Sequence, residues 1–243
     1  NRKSVDLTPE AAAAIGLSAG KSTPQDIMTA ILSMEVDLLW FGGIGTYIKD
    51  ARENDADVGD RANDPIRVIA RQVRAKVIGE GANLGVTQKG RIAYALQGGR
   101  CNSDAIDNSA GVNSSDVEVN IKIALANAMR ENRLTRPKRN TLLAAMTDEV
   151  AELVLRNNYL QTLAISVAEA EGVSGVGELN RVMGNLEARG LLNRKVEYLP
   201  DDVAVAERVA AGRALTRPEI GVLLSYAKLV LFDEIVASGL PDD

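Results

Sequence analysis

The fold is decided by residues 76–118, which read KVIGEGANLGVTQKGRIAYALQGGRCNSDAIDNSAGVNSSDVE. Two short apolar runs, at residues 77–78 and 105–106, are each followed by a polar segment rich in glycine and small residues. Between them, residues 86–96 carry apolar side chains at helical spacing. Successive glycines interrupt a strand, and strand, turn, helix and strand make the βαβ unit of a parallel sheet. Both turns are therefore predicted at the carboxyl edge of an α/β sheet, where such sheets bind ligands.

A partial dinucleotide-binding motif lies in the first of these turns. Residues 79–84 read GEGANL and match the first five positions of G-x-G-x-x-G, but Leu84 stands where the third glycine belongs. That glycine lets the helix pack closely on the strand. On its own, the motif therefore favours an ordinary glycine-rich turn without a ligand over a pyrophosphate site.

A second strand is predicted upstream of the first. Residues 36–41 form an apolar run that ends at Gly42 and Gly43, so this turn is expected at the same sheet edge. Residues 63–73 carry apolar residues on one helical face and are predicted as the helix that connects the two strands. Together these elements predict a partial doubly wound, Rossmann-like parallel sheet.

The sequence changes character near Ser115. Ser115 and Glu118 have the spacing of a helix capping box, and helical patterns continue from there, with no strand pattern after residue 108. We therefore predict two domains, the carboxyl-terminal half of a dinucleotide-binding domain at residues 1–114 and an all-α domain at residues 115–243.

Composition excludes several classes of function. The chain has 243 residues, a net charge of -5 and no basic tract, which argues against a nucleic-acid partner. It has no histidine, which excludes histidine-based catalysis or metal binding, and its single cysteine is typical of a reducing, cytoplasmic compartment. The longest apolar stretch, residues 220–232, is interrupted by Ser225 and Lys228 and is too short to span a membrane.

Several long strings together resemble one family, the large NAD-specific bacterial glutamate dehydrogenases. The resemblance is dense from about residue 36 to residue 125 and thinner beyond. The strings are DLLWFGGIGTYIK (37–49), ADVGDRAND (56–64), GEGANLG (79–85), YALQGGR (94–100), IDNSAGVNSSDVEVNIKI (106–123) and RPEIGVLLSYAKL (217–229).

The resemblance implies NAD as cofactor and L-glutamate, or its product 2-oxoglutarate, as the reactant. Asn83 and Asn108 match the asparagines that hold the nicotinamide half of the cofactor in this family, and Ser115 matches a serine that binds a substrate carboxylate. The cofactor-binding residues that the resemblance implies are Gly42, Gly43, Glu80, Gly81, Asn83 and Asn108.

Each polar candidate also has a structural interpretation. Asn83 and Asn108 could only stabilise turns, because asparagine tolerates left-handed backbone and bonds to its own chain. Ser115 could be only the N-cap of the helix that the capping box predicts, and one hydroxyl could serve both roles.

Two parts of a glutamate dehydrogenase are missing from the sequence. There is no complete pyrophosphate turn, and no counterpart of the family's catalytic lysine and aspartate is recognisable, so no catalytic residue and no metal site are predicted. We expect a carboxyl-terminal fragment of a longer, homo-oligomeric enzyme, inactive by itself. Two alternatives remain: a helical assembly module without a ligand, and a dehydrogenase for another amino acid such as leucine or phenylalanine.

Overall fold

The structure is a computed structural model that describes residues 3–240. Strands and short helices alternate in the first part of the chain, and long helices make up the rest. The strands are β1 (Val5–Leu7), β2 (Gly20–Ser22), β3 (Leu38–Phe41), β4 (Ile48–Lys49), β5 (Val68–Ile69) and β6 (Val77–Glu80). The α-helices are α1 (Pro9–Ile15), α2 (Pro24–Leu32), α3 (Asp55–Val58), α4 (Gln88–Leu96), α5 (Asp104–Asp107), α6 (Ser109–Arg130), α7 (Arg136–Ala145), α8 (Thr147–Ala170), α9 (Val176–Ala188), α10 (Asp202–Ala210) and α11 (Arg217–Ala237). Short 3-10 helices lie at Arg61–Ile66, Ala70–Gln72 and Gly172–Gly175.

The parallel pair β3 and β6 determines where the candidate site lies. Its register runs from Leu38 opposite Val77 to Phe41 opposite Glu80, so both strands end at the same edge. The loops that follow lie side by side, because the Ala82 N–H donates a hydrogen bond to the Phe41 carbonyl (3.1 Å). β4 and β5 form a second parallel pair, and β1 and β2 an antiparallel one. The predicted fold class, a partial parallel sheet of α/β type followed by helices, is confirmed.

The α/β part and the helical part of the chain each have a hydrophobic core. One core surrounds β3 and β6 and includes Ile48, Ile78 and Val86. The other packs the helices together and includes Ile165 and Met183, both fully buried. Full burial of one such side chain contributes about 1.5–3 kcal/mol.

The predicted division at residue 115 into domains of residues 1–114 and 115–243 stays a prediction. Helix α6 crosses that position without a break. The ends of the two predicted domains, residues 1–2 and 241–243, lie outside the described part of the chain. None of the described helices is both long and apolar enough to cross a membrane.

The predicted strand at Ala105 and Ile106 is wrong, because both residues belong to α5. Ser103 caps this helix, and its Oγ accepts a hydrogen bond from the Ile106 N–H (3.3 Å). A cap of this kind satisfies a backbone donor locally and favours a helical turn. The place beside β6 is taken by Arg100, which forms a single parallel bridge with Val77.

The predicted helix over residues 63–73 is also wrong, because the segment contains β5 between two 3-10 helices. Pro65 lies inside the first of these and has no N–H to donate to a helix. The Val68 N–H bonds to the Tyr47 carbonyl (2.9 Å), beside the pairing of β5 with β4. Strand pairing therefore outweighs the helical spacing of the apolar residues in this segment.

Candidate functional site

The candidate site begins where β3 ends, in the loop that starts with Gly42 and Gly43. Both glycines are exposed. A Cβ on Gly43 would meet no atom within 4 Å, and one on Gly42 would touch only Trp40, at 3.8 Å. The loop therefore presents open backbone at the carboxyl edge of the sheet.

Two glycines of the partial motif, Gly79 and Gly81, are required by a neighbouring side chain. A Cβ on Gly79 would lie 2.6 Å from the Trp40 ring, and a Cβ on Gly81 only 2.3 Å from it. Real Cβ atoms do not approach so closely, so Trp40 can lie against β6 only because these residues have no side chain. The glycine spacing is thus explained by an aromatic neighbour.

A buried ion pair anchors the loop that follows β6, residues 81–85. Glu80 is fully buried, and its carboxylate accepts two hydrogen bonds from Arg91, from Nε (2.6 Å) and Nη2 (2.8 Å). The Val86 N–H donates a third to Glu80 Oε1 (3.1 Å). Burial works to lower the pKa of Arg91, but the bonded Glu80 carboxylate outweighs it, so the pKa of Arg91 is raised. Because Glu80 ends β6 and Arg91 lies in α4, the pair links the strand before the loop to the helix after it.

Two aspartates of α5 hold the same loop from the side. Asp107 Oδ2 accepts a hydrogen bond from the Glu80 N–H (3.0 Å), and Asp104 Oδ2 accepts one from the Leu84 N–H (2.9 Å). Leu84 has a left-handed backbone, with φ of 63°. Asn102 donates to the other Asp107 oxygen (2.8 Å), while burial raises the pKa of that carboxyl. The loop is therefore clamped between α4 and α5.

Asn83 and Asn108 meet at the mouth of this loop. The Asn108 side-chain amide donates a hydrogen bond to the Asn83 side-chain oxygen. Within residues 3–240, neither side chain has another hydrogen-bond partner. A free amide group on Asn83 and a free carbonyl oxygen on Asn108 therefore lie together, one a donor and the other an acceptor.

The two asparagines form one wall of a cleft of about 730 Å³. The opposite wall comes from α8 and α11. Ser109, next to Asn108, donates to the Asn158 side-chain oxygen and accepts a hydrogen bond from Gln161 Nε2 (3.0 Å). The polar part of the lining therefore consists mainly of neutral amides and one hydroxyl, which can bind both donors and acceptors, and apolar side chains make up the rest.

Ser115 does not occupy the position that the sequence predicted for it. Helix α6 begins at Ser109, so Ser115 lies inside the helix and cannot be its N-cap, which corrects that prediction. Ser115 is exposed, and it is not among the residues that line the cleft, although Asp116 beside it is. Glu118 pairs with Lys122 one turn along and does not bond back to Ser115. At the observed start of the helix, Ser109 bonds to α8.

Sequence reasoning missed the far wall of the cleft, including Asn158 and Gln161. Each lies about fifty residues from Ser109 along the chain, on a helix whose polar residues carry no motif. Only helical spacing could have grouped them, and that spacing does not name a partner. Within the described residues, no group of three or more potential metal ligands lies together.

The fold and the cleft define an α/β protein with an open cleft at the carboxyl edge of its parallel strands. The chain belongs to the family described as bacterial NAD-glutamate dehydrogenase, catalytic domain, whose sequence profile matches residues 1–168. A second profile, described as glutamate dehydrogenase, C-terminal, matches residues 212–243. The resemblance that the sequence strings indicated is thereby confirmed.

The chain is similar to much longer bacterial proteins named NAD-specific glutamate dehydrogenase. It is 50% identical over 241 residues to the protein of Pseudomonas aeruginosa and 47% identical over 241 residues to that of Halomonas elongata. Identity to the protein of Mycobacterium tuberculosis is 46% over 247 residues. Each comparison covers 99% of this chain and 15% of the relative, so the chain corresponds to a small part of each.

Proposed function

We propose that this chain supplies the nicotinamide side of the cofactor cleft in an NAD-specific glutamate dehydrogenase. The parent enzyme oxidises L-glutamate to 2-oxoglutarate and ammonia. The observation that carries the proposal is the linked carboxamide pair of Asn83 and Asn108, at the carboxyl edge of parallel strands in a chain of this family. NAD, when bound, supplies the hydride acceptor.

The free groups of the asparagine pair fit a nicotinamide. A carboxamide has a carbonyl acceptor and an amide donor, and the pair offers the complementary donor, on Asn83, and acceptor, on Asn108. Because the two side chains already bond to each other, little side-chain freedom is lost when a ligand binds. The pair would therefore orient the ring that takes the hydride.

Around this pair, the other candidate residues have supporting roles in the proposal. Gly42, Gly43 and Gly81 present exposed backbone at the edge of the cofactor cleft. Glu80 acts through the loop, because its carboxylate is fully buried and is taken up by Arg91 and the Val86 N–H. We therefore treat Glu80 as a positioning residue that holds Asn83 in place.

The proposal assigns binding and orientation to this chain and leaves proton transfer to other parts of the parent enzyme. No residue of the chain is assigned a catalytic role, and Ser115 stays a candidate for the substrate carboxylate. Without a pyrophosphate turn or an acid–base residue, the isolated chain should lose many orders of magnitude in rate. We expect it to be inactive alone.

A role in assembly is a second candidate function, and it is compatible with the first. On α11, Leu229, Phe232 and Val236 are 60%, 64% and 58% exposed. Their spacing of three and four residues places them on one helical face. Such a face fits contact with other parts of the longer protein or with a second copy in a homo-oligomer.

The test compares the full-length enzyme with the isolated chain. Purified full-length protein is expected to form NADH with L-glutamate, and to do so far more slowly with L-leucine or L-phenylalanine. The isolated chain is expected to form none. A full-length enzyme that prefers another amino acid would overturn the substrate assignment. Glutamate-dependent NADH formation by the isolated chain would overturn the assignment of proton transfer to other parts of the parent enzyme.

A further inference from the structure

Lys228 projects from α11 into the same cleft as the asparagine pair. Its ammonium group donates a hydrogen bond to the Gln161 side-chain oxygen. Gln161 in turn donates to Ser109 Oγ (3.0 Å), and Ser109 directly follows Asn108 in the chain. A short series of hydrogen bonds therefore joins this lysine to the wall that carries Asn108.

The charge of Lys228 is not balanced within the described residues. Its one side-chain hydrogen bond is to a neutral amide, and it forms no ion pair in the range 3–240. Asp116 is the acidic residue that lines the cleft, and it is not within ion-pair distance of the lysine. Burial lowers the pKa of Lys228, and no carboxylate of the described residues offsets that effect. Lys228 is exposed to solvent at the cleft, and an ammonium group there without a counter-charge favours an anionic ligand.

We propose that Lys228 binds a carboxylate group of the amino-acid substrate. The inference rests on the proposed function, in which the asparagine pair holds the nicotinamide and the remaining space of the cleft receives the reactant. Glutamate carries two carboxylates, and the other polar lining groups are, apart from Asp116, amides and one hydroxyl, which cannot neutralise them. The cofactor also carries anionic groups, its phosphates, and the experiment separates the two sources.

The experiment uses the full-length enzyme with Lys228→Gln and a matched control, Lys138→Gln. Lys138 is exposed on α7, does not line the cleft, and undergoes the same change of charge. Lys228→Gln is expected to raise KM for L-glutamate about ten- to a hundredfold, the effect of losing one hydrogen bond between charged groups. KM for NAD should change less than about threefold, and the control variant should match the wild type in both.

Three results would overturn the inference or its basis, and they are distinguishable. An unchanged KM for glutamate in an active Lys228→Gln enzyme would remove Lys228 from the substrate site. A rise confined to KM for NAD would assign the lysine to a cofactor phosphate. A wild-type enzyme that does not oxidise glutamate would overturn the proposed function itself.

A second measurement applies to the unmutated enzyme, so it does not depend on the folding of a variant. Lysines are acetylated without ligand, with NADH alone and with 2-oxoglutarate plus NADH, and the extent at each lysine is read by peptide mass spectrometry. Lys228 is expected to be protected by the complete mixture and not by NADH alone, whereas Lys138 should react equally throughout. Equal acetylation of Lys228 in all samples would contradict the proposal.

Discussion

Two fully buried glutamates, Glu80 and Glu219, show how differently the two parts of this chain use the same residue type. Both carboxylate oxygens of Glu80 bond to Arg91, which is itself buried. Glu219 instead bonds through one oxygen, to the Thr216 N–H (2.7 Å), the Thr216 hydroxyl (2.7 Å) and Arg208 (2.8 Å). Its other oxygen has no hydrogen-bond partner within residues 3–240.

The two glutamates hold different parts of the chain together. Glu219 is the N3 residue of the capping box that begins with Thr216, so it fixes the start of its own helix, α11. Glu80 joins the end of β6 to α4 across the loop that carries Asn83. The first interaction is mainly local, whereas the second determines the position of a candidate binding residue.

The largest expected effect is that of Glu80→Gln. The change removes the carboxylate that bonds twice to buried Arg91 and leaves Asp104, 3.3 Å from Arg91 Nη2, as its nearest counter-charge. Breaking such a buried pair costs about 3–5 kcal/mol. Urea unfolding of the variant should show this loss in the free energy of unfolding. A loss below about 1 kcal/mol would mean that water reaches Arg91 and that the loop is held in another way. As a control, replacing both residues by apolar ones of similar size should recover much of the stability.

A smaller effect is expected for Glu219→Gln. Arg208 is 20% exposed in its side chain and can turn to water, so the variant leaves no fully buried charge. The expected loss is that of a helix cap, about 0.5–2 kcal/mol, measured by the same unfolding experiment. A loss equal to that of Glu80→Gln would contradict the distinction drawn between the two glutamates.

The thiol of Cys101 is a probe of the region around Glu80 and not of the region around Glu219. Its thiol donates to the Arg91 carbonyl, and burial raises the pKa of Cys101 to about 12. The thiolate is the reactive form, so the folded chain should react slowly with a thiol reagent at neutral pH. Glu80→Gln should speed this labelling and Glu219→Gln should not. Equal acceleration by both variants would show that the two regions open together.

The smallest effect on stability is expected for Ser115→Ala. Because Ser115 is exposed inside α6, its replacement should change the free energy of unfolding by less than about 0.5 kcal/mol. An N-cap would cost about 0.5–2 kcal/mol, so a thermal melt distinguishes the two positions. In the full-length enzyme, a raised KM for glutamate in this stable variant would support a contact with the substrate carboxylate.

The contrast between the glutamates also explains which features were predictable from sequence. The strand that begins at Val77 depends on neighbouring residues and was predicted. The Thr216–Glu219 capping box depends on neighbouring residues in the same way. The Glu80–Arg91 pair spans a loop and was not found, because no motif reports which distant side chains meet.

Two local patterns misled for a related reason. The short apolar run at Ala105 and Ile106 suits a strand or a helix, and the Ser103 cap decided in favour of the helix. At Ser115, the capping-box spacing was present, but the helix begins six residues earlier, at Ser109, which bonds to α8. In both places a contact outside the pattern determined the structure.

Asn108→Ala in the full-length enzyme tests whether Asn83 and Asn108 together hold the nicotinamide. Asn120→Ala is the matched control, because Asn120 is exposed on the same helix and lies outside the cleft. Losing one or two hydrogen bonds should lower kcat/KM for NAD about ten- to a hundredfold, while the control stays near the wild type. An Asn108→Ala enzyme with lowered thermal stability but unchanged kcat/KM for NAD would contradict the claim and leave the asparagines as stabilisers of the loop.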